Sequence, residues 1–141
     1  MKKTAVIYWS GTGNTEAMAN AVAEGMRQAG AECSVLTSAD VTADTVAALE
    51  AVALGCPAMG SEVLEDMEFE PMFEGCKSAL KGKRVALFGS YGWGGGEWMQ
   101  NWERDCRSSG IQLACDSVIC NDAPDDAALA ACQALGKALV D

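Results

Sequence analysis

The sequence predicts an α/β fold in which a five-stranded parallel sheet is covered by helices on both faces. Three observations predict it. Short runs rich in strand formers alternate five times with segments whose apolar residues recur at three- and four-residue steps. The strand runs are mostly continuous apolar stretches, as expected where both sheet faces are buried. Strands separated by helices need crossover connections, and crossovers make parallel pairs. With 141 residues, half of them hydrophobic, the chain is long enough for one domain over 1–141 and shows no internal repeat or linker.

The elements follow in order. Thr4–Trp9 is an apolar run that stops abruptly at Ser10-Gly11, so it is the first strand. Ala17, Met18, Ala21, Val22, Met26 and Ala29 then mark one face of a helix from Asn14 to Ala29, ended by Gly30. Cys33–Thr37 is the second strand, Ala43–Leu49 a short helical stretch, and Ala51–Cys56 a third strand stopped by Pro57. An acidic loop leads to a helix over Pro71–Leu80, with its proline in the first turn. Arg84–Ser90 is the fourth strand. After a glycine-rich loop, Trp98, Trp102 and Cys106 recur at four-residue steps, which predicts a helix over Glu97–Ser109 and makes both tryptophans packing residues. Trp9, ending a strand, reads as structural too. Leu113–Cys120 is predicted as the fifth strand, and Ala128, Ala131, Cys132, Leu135 and Leu139 line a closing helix.

Composition excludes several chemistries. The chain has no histidine, which removes Ser-His and Cys-His nucleophiles, imidazole bases and His-ligated metals. Ten Lys and Arg against 20 Asp and Glu give a net charge of −10, a surface that repels nucleic acid and acidic membranes. The seven cysteines form no C-x-x-C pair and are expected to be small core residues in a reducing cytoplasm. Cys115 and Cys120, an odd number of residues apart on the predicted fifth strand, should face opposite sides. Lys2 and Lys3 precede only a short apolar run, too short for a signal peptide, and no segment reaches membrane-spanning length. The expectation is a soluble, intracellular, acidic single domain of the cytoplasm without a metal site.

Ligands of such sheets bind outside the carboxyl ends of the strands. The first loop there is Ser10-Gly11-Thr12-Gly13-Asn14-Thr15, which opens directly into a helix. Its glycines let the backbone curl, the helix N-terminus adds partial positive charge, and Ser10, Thr12 and Thr15 supply hydroxyls. This is a phosphate cradle, although it lacks the Gly-Lys-Ser/Thr of a Walker loop and the last glycine of a dinucleotide fingerprint. The third-strand loop, Pro57-Ala58-Met59-Gly60-Ser61-Glu62, offers a sulfur side chain in a turn, a glycine for an unusual backbone angle and a carboxylate acceptor. The fourth-strand loop, Ser90-Tyr91-Gly92-Trp93-Gly94, presents an indole flanked by glycines, suited to lie flat on a planar ligand. Together these parts suit a planar ring bearing one phosphate arm.

Tyr8–Glu16, Gly55–Glu62 and Phe88–Gly94, in this order and spacing, resemble the short-chain flavodoxins of clostridia and related anaerobes. The resemblance runs through nearly the whole chain. It implies a flavodoxin-like three-layer sandwich with strand order 2-1-3-4-5, a topology taken from the family itself and not from spacing. It implies FMN as cofactor, with Ser10 through Thr15 on the phosphate, Met59 and Trp93 on the two faces of the isoalloxazine, and Glu62 accepting from the flavin N3–H. Ser90 and Asn121 resemble further contacts of the family, and the Gly60-Ser61 peptide matches the bond that turns over on flavin reduction.

Electron transfer requires no acid, base or nucleophile, in keeping with the composition. Residues 4–76 hold 12 acids and one base, Arg27. One carboxylate about 10 Å away disfavours a new negative charge by roughly 0.4–1.7 kcal/mol at an effective dielectric of 20–80. Since about 1.4 kcal/mol is 59 mV for one electron, several acids lower a potential by something on the order of 100 mV. The expectation is a low-potential one-electron carrier, working mainly between neutral semiquinone and anionic hydroquinone in place of ferredoxin. Its acidic face would steer redox partners that carry basic docking surfaces. The alternative is a small FMN-dependent NAD(P)H:quinone-type reductase of the same fold.

Overall fold

The computed structural model describes residues 2–141. In chain order it contains β1 (Lys3–Tyr8), α1 (Asn14–Gln28), β2 (Glu32–Thr37), a 3-10 turn (Ser38–Asp40), α2 (Ala43–Ala47), β3 (Ala51–Gly55), α3 (Phe69–Leu80), β4 (Arg84–Tyr91), α4 (Glu97–Ser108), β5 (Val118–Asn121) and α5 (Asp126–Val140). All strand pairs are parallel, in the order β2-β1-β3-β4-β5. The predicted α/β sandwich and its strand order are both present. The chain begins on an interior strand, steps out to the edge at β2, then crosses back over β1 to β3. That reversal separates the loops after β1 and β3 and opens a crevice between them.

Alternation along the central strands sorts their side chains into two cores. Ala5 and Ile7 of β1, Val52 and Leu54 of β3, and Val85 and Leu87 of β4 meet Phe69, Phe73, Trp98 and Trp102 from α3 and α4. On the opposite face, Val6, Ala53, Ala86 and Phe88 meet Met18, Val22 and Met26 of α1 and Leu135 and Leu139 of α5. Trp102 stacks edge-on to Phe69 and Phe73, with centroids 5.4 and 5.9 Å away. The indole N–H of Trp98 donates to the Cys56 carbonyl at 3.1 Å. Both tryptophans are therefore the packing residues their spacing predicts. β2 and β5 lie at the edges and are half exposed, which breaks the continuous apolar pattern there.

The fifth strand departs from expectation. Leu113 makes one bridge to Val85, and pairing resumes only at Phe88 with Val118. Between these two points the outer chain spends more residues than β4 does, so it must loop away from the sheet. Cys115 lies in that excursion and not on a strand, so the argument from alternation does not apply to it. Both Cys115 and Cys120 pack against the α1/α5 core. All seven cysteines are free thiols; Cys56, Cys76, Cys106 and Cys132 are buried, and Cys33, Cys115 and Cys120 half-buried. Burial pushes the thiols of Cys56, Cys106 and Cys132 up to about 12.

α1 and α5 touch backbone to backbone. A Cβ at Gly25 would overlap the carbonyl oxygen of Gln133, and one at Gly136 would overlap that of Val22. Gly136→Ala should therefore cost about 2 kcal/mol or more, because rigid helix backbone must move apart. Gly75 is an exposed residue of α3 with open space around its Cα. Gly75→Ala should stabilise by about 0.5–1 kcal/mol. Urea midpoints of the two variants should move in opposite directions.

The acidic segment before α3 is ordered by one of its own carboxylates. Glu65 is 6% exposed and accepts from the backbone N–H groups of Met67, Glu68 and Phe69, each at 2.8 Å. Burial alone would push this carboxyl up, but the three N–H donors outweigh it and hold the group below the usual carboxylate range. The resulting stability is present above the ordinary glutamate pKa and is lost as pH falls through the lower folded value. Glu65→Gln should cost about 1–3 kcal/mol at neutral pH. It should also flatten the acid limb of a pH–stability curve measured by chemical denaturation.

Candidate functional site

The C-terminal ends of β1, β3 and β4 border a groove of about 330 Å³. Its walls are Trp9, Ser10, Gly11, Thr12, Asn14 and Thr15 from the first loop, Pro57, Ala58 and Met59 from the third-strand loop, Ser90, Tyr91, Gly92 and Trp93 from the fourth, and Asp122. The three loops singled out in the sequence meet here. Gly13, Gly60, Ser61, Glu62 and Gly94 lie on the same loops but outside this lining, as does Asn121 at the end of β5.

The first loop is shaped for an oxyanion. Gly13, at φ 96°, is the N-cap of α1. The Ser10 hydroxyl accepts from the N–H groups of Gly13 and Glu16, at 3.1 and 3.3 Å, and so folds the loop over its own centre. The N–H groups of Asn14 and Thr15 lie in the first turn, where no intrahelical acceptor exists. Thr15 is 1% exposed, and its buried hydroxyl has no partner among the described residues. A buried orphan hydroxyl beside free amides is costly unless a ligand oxygen meets it. The Trp9 ring covers Gly11, 3.1 Å from where a Cβ would stand, so a side chain there would push the indole outward. A second, polar notch of about 440 Å³ lies beside this loop, but Glu16 and Glu68 line it and would repel a phosphate.

The ring end of the groove is apolar and sulfur-bearing. Met59 and Val63 exchange backbone hydrogen bonds of 2.8 and 3.0 Å around a tight turn, with Gly60 at φ 48° and Glu62 at φ 56°. Trp93 is 60% exposed, and its indole N–H donates across the rim to the Gly60 carbonyl at 3.2 Å. Glu62 is engaged elsewhere than the sequence suggests. Its Oε1 accepts from the Glu97 N–H at the start of α4, at 3.1 Å, and its carboxylate abuts Gly94.

At the far wall the Ser90 hydroxyl, 4% exposed, donates to the Asp122 carbonyl at 2.7 Å, and the Asp122 N–H donates to Tyr91 at 2.8 Å. Asn121 is the exposed last residue of β5, and the groove is lined instead by Asp122, at φ 56°. The sequence reading missed Asp122 and Trp9. An Asp followed by Ala-Pro directly after a strand was the available signal for the first. For Trp9, the signal was that it abuts the cradle: the strand ends one residue earlier, at Tyr8. Among the described residues no helix is long and apolar enough to cross a membrane, and no His, Cys, Asp and Glu cluster is arranged for a metal ion.

The chain matches the flavodoxin family over residues 6–135. It is 47% identical over 133 residues to the flavodoxin of Megasphaera elsdenii, covering 94% of this chain and 95% of that protein. It is 43% identical over 122 residues to the flavodoxin of Clostridium beijerinckii, covering 86% and 88%. The solution structure of two-electron reduced Megasphaera elsdenii flavodoxin superposes with a TM-score of 0.89 at 46% identity, over 97% of this chain and 98% of that one. A cation-free cradle with an orphaned threonine hydroxyl, opening onto a slot between a methionine and an indole, fits a phosphate-bearing flavin. The chain belongs to the flavodoxin family and is an FMN-binding electron carrier, not a catalyst.

Proposed function

We propose that this protein is a low-potential, one-electron carrier of the cytoplasm that serves redox enzymes in place of ferredoxin. It would hold FMN non-covalently, and the bound flavin supplies the one-electron chemistry. The observation that carries this reading is the charge distribution around the groove. No Lys or Arg occurs in any loop after a strand or in the first turn of any helix. Those same positions hold Glu16, Asp40, Asp44, Glu62, Glu65, Asp66, Glu68, Glu70, Glu97, Asp122, Asp125 and Asp126. A negative field at that end opposes formation of the anionic hydroquinone and leaves the neutral semiquinone unpenalised, so the lower couple falls.

The chain's own residues divide the work. Ser10 through Thr15 would bind the phosphate through backbone N–H groups and hydroxyls, which hold an anion without neutralising its charge. Met59 and Trp93 would cover the two ring faces, with Pro57, Ala58, Tyr91 and Gly92 excluding water from the edges. Ser90, Asp122 and the end of β5 would border the sugar-like arm, and Glu62 would accept from a ring N–H. Exposed acids around the rim would attract redox enzymes with basic docking surfaces, the protein acting as a monomer.

Thr15→Val keeps the shape and removes the orphan hydroxyl. FMN binding, followed by quenching of flavin fluorescence, should weaken by about tenfold or more, as for loss of a hydrogen bond to a charged group. An unchanged dissociation constant would remove Thr15 from the phosphate site. In an anaerobic reductive titration the yellow protein should pass through a long-lived blue intermediate and bleach only with a strong reductant. Direct bleaching, together with fast oxidation of NAD(P)H by the isolated protein, would favour the reductase alternative. Association with a basic electron-transfer partner should slow steeply as ionic strength rises, read by stopped flow.

A further inference from the structure

Gly94 lies outside the groove, yet its missing side chain is what gives the Glu62 carboxylate its place. A Cβ built on Gly94 would stand 2.6 Å from the Glu62 Cδ and Oε1 and 2.9 Å from Oε2. Gly94 also has φ +83°, while Glu62 holds φ 56°, a rare angle for a residue with a side chain. The carboxylate is fixed from a third side by the Glu97 N–H, 3.1 Å from Oε1, at the first residue of α4. Helix N-termini attract carboxylates, so this end of Glu62 is held electrostatically as well as by its hydrogen bond. Oε2 accepts no hydrogen bond among the described residues.

We propose that Gly94 and the amide of Glu97 are positioning elements that seat the Glu62 carboxylate between the loops bearing Met59 and Trp93, leaving Oε2 free for an N–H of the bound ring. The inference rests on the FMN reading above and adds the residues that aim the acceptor. It follows from what gives way on collision. The atoms that meet a new Cβ at 94 are the far end of a flexible glutamate and not backbone. A side chain at 94 therefore displaces the carboxylate without splitting the fold. Gly95, its neighbour, has open space around it and no positive φ. The two adjacent glycines thus separate the local effect from a general loss of loop flexibility.

The test is a double-mutant cycle on the whole protein, using Gly94→Asn, because Asn tolerates the left-handed region better than other residues with a Cβ. FMN affinity should fall about tenfold in Gly94→Asn but less than about twofold when the same change is made in Glu62→Ala. Gly95→Ala should leave affinity unchanged. The midpoint potential of the lower couple should rise in Gly94→Asn, as a fixed negative charge moves off, and should not respond to Gly94→Asn in a Glu62→Gln background. An equal affinity loss in both backgrounds, or a potential indifferent to Gly94, would mean backbone strain alone and would overturn the proposal. Amide hydrogen exchange of Glu97 in FMN-free protein decides the seating independently of the cofactor. It should accelerate in Gly94→Asn to the rate seen in Glu62→Ala, and an unchanged rate would overturn the inference even where FMN binds normally. Failure of the unmodified protein to retain FMN would instead bring down the functional reading, with the exchange result still deciding whether Gly94 seats Glu62.

Discussion

A loop shaped for an anion but built without a cation is the constraint on which the rest of this structure depends. The Ser10–Thr15 loop can offer only backbone N–H groups, hydroxyls and the partial charge of a helix end. Such donors work only if they are held still, because each contributes modestly and none can follow a moving ligand as a lysine can. The structure fixes them twice. Locally, the Ser10 hydroxyl ties Gly13 and Glu16 together, and the Trp9 ring covers Gly11. Globally, α1 is locked against α5 by two glycines that allow backbone contact at Gly25 and Gly136. Small residues far from the groove thereby set the rigidity of the loop that lines it.

The same constraint explains where the positive charge goes. Lys2 donates to the carbonyl of Val140 at 2.6 Å, Lys83 to that of Ala47 at 2.9 Å, and Arg84 to those of Leu139 and Ala138 at 3.0 and 2.9 Å. Arg27, Lys77, Arg107 and Lys137 sit in the last turns of their helices. The first three satisfy helix C-terminal carbonyls, and the other four complement the helix dipoles. In a parallel α/β sandwich every such helix end lies opposite the ligand edge, so capping the helices also clears cations from the groove. The acids follow the reverse rule, with Glu16, Asp44, Glu70, Glu97 and Asp126 in first turns. Helix stability and the negative field at the groove come from one arrangement of charges.

Much of this was legible in the sequence, and the parts that were not have physical reasons. The central strands are buried on both faces and read as unbroken apolar runs. β5 is an edge strand, and its true span, Val118–Asn121, depends on an excursion that no local pattern encodes. Loop chemistry was readable where a backbone need dictates residue type, as in the Gly-rich cradle and the glycine-flanked Trp93. It was not readable where a side chain is committed by a distant partner. Nothing near Ser90 in sequence announces that its hydroxyl serves Asp122, and nothing near Glu62 announces the amide of Glu97. Trp9 reads as structural because it ends the apolar strand run, yet it both covers Gly11 and walls the groove.

The loop between β3 and α3 shows how strain and order are combined in such a site. Gly60 and Glu62 both occupy positive φ, within a turn closed by the Met59–Val63 pair. A non-glycine residue there costs on the order of 1 kcal/mol or more and persists only if its surroundings over-determine it. The surroundings are the Glu97 amide on one side and, a few residues on, the buried Glu65 carboxylate with its three N–H donors. Glu65 anchors the end of the loop that runs into α3, while Glu62 anchors the end that faces α4. Ahead of both anchors the Gly60 carbonyl is left at the rim, where the Trp93 indole N–H reaches it. Two carboxylates therefore do different work: buried Glu65 holds the segment's shape, and half-buried Glu62 ties the loop to the first residue of α4.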